Sequence, residues 1–152
     1  YEHDIYNDRP VLLRGFDEKF WMPHSRHTTV SLQQIKENRD LELLAGSDPT
    51  GAAIVRSLDN KHIFVFGHAE YDWDTLNREY ERDINKGMDI AVPENYFPND
   101  DPKQRPIVRW RSVSTLLFTN WLNYYVYQET PYIIEQIQKM KFERDKNLGA
   151  YI

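Results

Sequence analysis

No cysteine occurs anywhere in the 152 residues. Disulfides, thiolate metal sites and a cysteine nucleophile drawn from this stretch of polypeptide are therefore excluded. The compartment stays open, because secreted and cytosolic chains can both lack cysteine. Glycine is scarce too, at six residues, and none builds a G-x-x-x-x-G-K-[ST] phosphate loop or a G-x-S-x-G nucleophile elbow. A P-loop nucleotide enzyme and an α/β-hydrolase thus lose their support. Nor is there a surplus of cations: 19 Lys plus Arg stand against 24 Asp plus Glu, a formal net charge of -5. With no basic stripe to neutralise phosphates, neither nucleic acid nor an anionic membrane is an expected partner. Long hydrophobic runs are missing as well. The longest, "VSTLLFTNWLNYYVY" at 113–127, is broken by Thr119, Asn120 and Asn123 and falls short of the roughly 20 residues that span a bilayer. The opening "YEHDIYNDRP" is polar and does not read as a secretory signal, and Tyr1 stands where an initiator methionine is normal, so the chain reads as a fragment.

What is present suits one domain, since a chain of this length buries roughly 70% of the surface it exposes when unfolded. "PVLLRGF" (10–16) reads as a short strand closed by Gly15, and "WMPHSRHTTV" (21–30) as a loop. "SLQQIKENRD" (31–40) opens with Ser31 as a plausible N-cap and sets Leu32 and Ile35 three apart, which predicts a short helix. Apolar runs "LELLAGS", "GAAIVRSL" and "HIFVF" then alternate with turn residues. Asp59-Asn60 between the last two predicts an antiparallel hairpin, and the unbroken "IFVF" predicts a strand buried on both faces.

The clearest helical signal is "DWDTLNREYERDINKG" (72–87). Asp72 or Asp74 can cap it, Trp73, Leu76, Tyr80 and Ile84 keep the helical period, and Gly87 can end it in the left-handed region. The connector "VPENYFPNDDPKQRP" holds four of the eight prolines, so it is neither helix nor central strand, while its Tyr96 and Phe97 point to an ordered covering loop. The 113–127 helix carries Phe118, Trp121, Leu122, Tyr124, Tyr125 and Tyr127 around more than half its circumference, which suits burial between layers or at a subunit contact. It is expected to stop before Pro131, and the charged tail from Lys139 is expected to fray.

Chemistry concentrates at the end of "HIFVFGHAE". His68 and Glu70 lie two apart after an apolar strand and before a helix, so the carboxylate can fix the imidazole tautomer and stabilise the imidazolium. The bland alternative is a histidine satisfying a strand end and an acid beside a helix N-terminus; the residues alone leave both open. A metal reading is weaker. Only His24 and His27, three apart in a loop, have ligand-like spacing, and no metal is expected. The sequence offers a base and no nucleophile for it to activate.

Four blocks in order, "RGFDEKFWMPHSRHT", "FGHAEYDWDTLNREYERD", "VPENYFPNDDP" and "LLFTNWLNYYVYQETPY", resemble the homoserine O-acyltransferase family, also called homoserine O-succinyltransferases or transsuccinylases. They cover most of residues 1–132. The resemblance implies a three-layer α/β/α fold like that of class I glutamine amidotransferases, flavodoxin-like, of which this chain is the C-terminal half of a single domain. The other half would supply the cysteine of a Cys-His-Glu triad, with His68 as base and Glu70 as its orienting carboxylate. Ala69 stands between them where the family commonly has proline or another small residue. Ser25 matches a substrate-binding serine and Arg82 an arginine that holds the amino-acid acceptor, a task that suits a guanidinium fork. The residues by themselves also allow Ser25 to be a turn hydroxyl. Arg82 lies about 200° from the middle of the apolar stripe on its helix, on a face that would ordinarily be solvated. The implied activity is acyl transfer from succinyl-CoA or acetyl-CoA to L-homoserine, with serine as an alternative acceptor, on the route to methionine. Acyl-CoA would be a co-substrate and no cofactor would stay bound. A cytoplasmic homodimer is expected, and the isolated chain is expected to be inactive. A non-catalytic half-domain that binds a partner polypeptide is the rival reading.

Overall fold

The computed structural model describes residues 1–7 and 10–128. Five strands form one sheet: β1 (Glu2–Ile5), β2 (Lys19–Trp21), β3 (Leu41–Ser47), β4 (Gly51–Ser57) and β5 (Ile63–Val65), in the order β2-β1-β3-β4-β5. Every ladder is antiparallel. Among the described residues three α-helices accompany it, α1 (Leu32–Glu37), α2 (Thr75–Asn85) and α3 (Arg111–Trp121), the last continued by a π-helical stretch, Leu122–Tyr127. The class is α/β. Among the described residues the sheet's one parallel contact is the isolated bridge between Val30 and Gly51. None of the described helices is long and apolar enough to cross a membrane.

β3 and β4 form the centre because their residues are small or branched and almost continuously apolar, which suits strands covered on both sides. Their register slips twice, around Leu44 and Ala53, one extra residue on each strand, so the ladder recovers its phase. Leu44, Ala53 and Ile54 pack with Leu12, Leu13, Phe20 and the buried Val113 and Leu117 of α3. Leu43, Val55 and Ala52 pack instead with Ile35 of α1. Helices therefore cover both faces. Gly51 closes the β3–β4 turn with φ +70°, and a Cβ there would stand 2.3 Å from the Val30 carbonyl oxygen, so only glycine fits. The β4–β5 turn follows the Asp59-Asn60 signal: Asp59 accepts from the Ser57 hydroxyl at 2.6 Å and the Lys61 N–H at 3.1 Å, and Asn60 takes φ 61°.

Several expectations need correction. "PVLLRGF" is a 3-10 turn at Val11–Leu13, not a strand; its two leucines are fully buried beneath α3, where Asn120 Nδ2 donates to the carbonyls of Leu12 at 3.0 Å and Arg14 at 2.8 Å. Trp21 closes β2 rather than opening a loop. β5 is not buried on both faces: it is an edge strand, with Phe64 41% and Val65 38% exposed. Ser31 and Asp74 occupy N-cap positions without making a side-chain cap bond, and Asp74 instead pairs with Arg78 at 3.2 Å. Gly87 does end α2, at φ +74°. The helix buries no residue fully, and Trp73 and Ile84 of its stripe are exposed. The proline-rich connector is ordered as expected: Tyr96 and Phe97 are buried against Trp110. Phe118, Trp121, Leu122 and Tyr127 of the aromatic helix are exposed, not buried between layers. Pro131 and the tail from Lys139 lie outside the described residues.

Candidate functional site

β5 carries the chain out of the sheet toward His68. Phe66 N–H still bonds the Ala53 carbonyl at 2.8 Å, and the next residue, Gly67, passes so close to the β2 exit that a Cβ would stand 2.3 Å from Met22 Sδ and 3.1 Å from His24 Nε2. The His68 N–H then bonds the Pro23 carbonyl at 2.8 Å, and Ala69 plugs the main core at 2% exposure. Two flanking residues thus fix where His68 stands.

Its imidazole meets Glu70 as the spacing implies, with Nδ1 2.9 Å from Glu70 Oε1. A carboxylate accepts only, so Nδ1 carries the proton in this pair and Nε2 presents the lone pair of the neutral ring. The His68 side chain is 33% exposed and Glu70 57%, so the pair is reachable from outside. That is a base with a fixed tautomer at a surface, able to take a proton from a group brought alongside.

Tyr71, which the sequence reading passed over, stacks on the same imidazole with ring centroids 4.3 Å apart and planes 17° apart. Its hydroxyl donates to Glu79 Oε1 on α2 at 2.8 Å. Burial, then the Glu79 carboxylate, push the phenol up to about 12, and a hydrogen bond from Ser25 opposes the rise. Ser25 makes no hydrogen bond to His68, Glu70 or Arg82 among the described residues. Arg82 sits one turn beyond Glu79 on α2, exposed, with Nε 2.7 Å and Nη2 2.8 Å from the two oxygens of Asp83, which raises its affinity for the proton further. Its fork is engaged by a neighbouring carboxylate, not by His68. The signal that could have found Glu79 was its spacing of three from Arg82 on one helical face.

Behind the site lies a histidine pair. His24 Nε2 is 2.9 Å from Nε2 of the fully buried His3. Burial holds His3 down at about 4 and His24 at about 3, with the adjacent Arg26 adding to both. His24 and His27 do not converge as ligands, and no group of three or more metal-binding side chains occurs among the described residues. A cavity of about 270 Å³ runs past His24 between Trp21, Glu94, Arg109 and Trp110, and a groove of about 800 Å³ follows β5 and α3. Neither is lined by His68, Glu70, Ser25 or Arg82.

Residues 1–132 match the family profile described as homoserine O-succinyltransferase. The chain belongs to that family. Among its relatives it is 57% identical over 134 residues to a homoserine O-acetyltransferase of Bacillus cytotoxicus, covering 88% of this chain and 44% of that protein. It is 50% identical over 139 residues to one of Petrotoga mobilis (91% and 45%) and 56% identical over 132 residues to one of Clostridium acetobutylicum (87% and 44%). This homoserine O-succinyltransferase family chain thus spans under half the length of the curated relatives it matches. The family's name and its relatives' names differ in the acyl group, succinyl against acetyl.

Proposed function

We propose that this chain is the base-bearing half of a homoserine O-acyltransferase of three-layer α/β/α architecture, whose remaining polypeptide supplies a cysteine nucleophile. The observation that carries the reading is the 2.9 Å contact between His68 Nδ1 and Glu70, in a chain 57% identical to a homoserine O-acetyltransferase. A reachable, tautomer-fixed imidazole on a chain without cysteine fits a triad divided between two stretches of polypeptide. In the first half-reaction the cysteine thiol gives its proton to His68 Nε2 and its sulfur attacks the acyl carbonyl. A new C–S bond forms, the bond to the coenzyme A sulfur breaks, and coenzyme A takes the proton as it leaves. In the second half-reaction the homoserine hydroxyl gives its proton to Nε2 while its oxygen attacks the thioester; the ester C–O bond forms, the C–S bond to cysteine breaks, and Nε2 returns the proton to the departing cysteine sulfur. General-base help of this kind is worth roughly 10²- to 10⁴-fold. Acyl-CoA is a co-substrate in this scheme, and no resident cofactor enters it. Ser25 and Arg82 bind the acceptor, Arg82 by releasing Asp83 and turning its fork to the amino-acid carboxylate.

The test uses the intact polypeptide, assayed with succinyl-CoA and acetyl-CoA against L-homoserine and L-serine, with the acyl-enzyme located by mass spectrometry. Transfer to homoserine, with the adduct outside residues 1–152, is the expected result. An adduct within this chain, or no transfer to homoserine from either donor, would overturn the proposal.

A further inference from the structure

Tyr71 joins the His68 turn to α2 and to the aromatic core. Its N–H donates to the His68 carbonyl at 3.2 Å, and its own carbonyl accepts from Trp110 Nε1 at 2.8 Å. Trp110 is buried with Tyr96 and Phe97, so this end of the His68 turn is moored to an aromatic core. The ring lies nearly parallel to the imidazole at 4.3 Å, a geometry that limits rotation of His68 about the bond leading to its ring. The hydroxyl leaves in another direction, toward Glu79 Oε1 at 2.8 Å. Glu79 Oε2 is enclosed and has no hydrogen-bond partner among the described residues, so the Tyr71 hydroxyl is the contact that orients this carboxylate. Glu79 and Arg82 are three apart on α2 and share a face.

We propose that Tyr71 is a positioning residue with two separable parts: its ring holds the His68 imidazole in the plane needed for proton transfer, and its hydroxyl holds Glu79 and so sets the α2 face that carries Arg82. Proton transfer by His68 and acceptor binding are thereby tied through one side chain. This rests on the acyl-transfer reading for the roles of His68 and Arg82, but the ring contact does not depend on that reading.

In the intact polypeptide, Tyr71→Phe keeps the ring and removes the hydroxyl, whereas Tyr71→Leu removes both. Losing the hydroxyl's bonds corresponds to about a tenfold rise in acceptor KM with kcat nearly unchanged, and losing the ring adds a fall in kcat of about tenfold or more. Phenylalanine should therefore restore the kcat that leucine loses, which a merely structural site would not do selectively. A second readout is independent of turnover: the Cε1–H proton resonance of His68, shielded by the ring above it, should move downfield in Tyr71→Leu and hold its place in Tyr71→Phe. Wild-type kinetics in both variants, a kcat loss equal in both, or a His68 resonance unmoved by leucine would overturn the inference. Failure of acyl transfer in the wild type with the resonance shift intact would count against the acyl-transfer reading instead, and would uphold the ring contact.

Discussion

His68 and Arg82 are both exposed enough to be replaced without opening a core, which makes their roles separable from folding. His68→Ala in the intact polypeptide is expected to lower kcat by about 10²-fold or more, the scale of a lost general base, with circular dichroism unchanged. Glu70→Gln should cost less, because an amide oxygen still accepts from Nδ1–H but no longer carries the charge that stabilises an imidazolium. Near-normal turnover after His68→Ala would remove His68 from the chemistry. For Arg82 the competing role is visible in the structure, a two-point pairing with Asp83 next to it. If the guanidinium exchanges that partner for the acceptor carboxylate, Arg82→Ala raises the acceptor KM and leaves the donor half-reaction alone. Arg82→Lys should recover only part of the loss, since an ammonium lacks the planar fork. An acceptor KM that stays at the wild-type value would leave Arg82 as a solvated surface residue paired with Asp83.

Between β1 and the loop that follows β2, the His3–His24 contact makes the fold sensitive to acid. Both rings are held neutral by burial, at about 4 and about 3, whereas an unfolded chain titrates them near 6.5. Between those limits the unfolded state binds more protons. Their contribution to stability is therefore complete above about pH 6.5 and declines as pH falls toward 4 and below, by up to about 1.4 kcal/mol per pH unit for each histidine. The urea midpoint should drop between pH 7.5 and pH 5, and His24→Gln should flatten the drop; parallel losses in wild type and variant would refute this origin. How far the sequence disclosed such elements depended on whether a period could develop. α1, α2 and the β4–β5 hairpin were legible because an i, i+3 spacing or an Asp-Asn turn declares itself within a few residues. β1 and β2 have four and three residues, too few for alternation, and each is defined by pairing with distant chain. "PVLLRGF" misled because its apolar run serves a 3-10 turn roofed by α3, a burial that periodicity cannot distinguish from a strand. The His68–Glu70 pair followed from a two-residue spacing, whereas the His3–His24 contact joins residues 21 positions apart and left no local trace.

At the scale of the molecule the uneven burial of β5 is the informative feature. Among the described residues β5 pairs with β4 alone, its Phe64 and Val65 are exposed, and Phe118 and Trp121 of α3 open onto the same groove. An edge strand this apolar is ordinarily shielded, because its unpaired backbone groups invite association. The chain covers 44–45% of the relatives named above, so each of those relatives holds further polypeptide long enough to shield such an edge. The direction of the backbone groups makes the point measurable. Phe66 N–H bonds Ala53 and the His62 carbonyl accepts from Ser57, so by antiparallel alternation Phe64 turns its N–H toward β4 while Ile63 and Val65 turn theirs outward. If the remaining polypeptide adds a strand against β5, those two outward amides gain partners. Hydrogen exchange at Ile63 and Val65 should then be fast in the 152-residue chain and slow in the intact polypeptide, while Phe64 stays comparatively protected in both. Fast exchange at Ile63 and Val65 in the intact polypeptide would mean that β5 remains a sheet edge. The cysteine proposed to face His68 would then have to reach it by a route other than a strand laid beside β5.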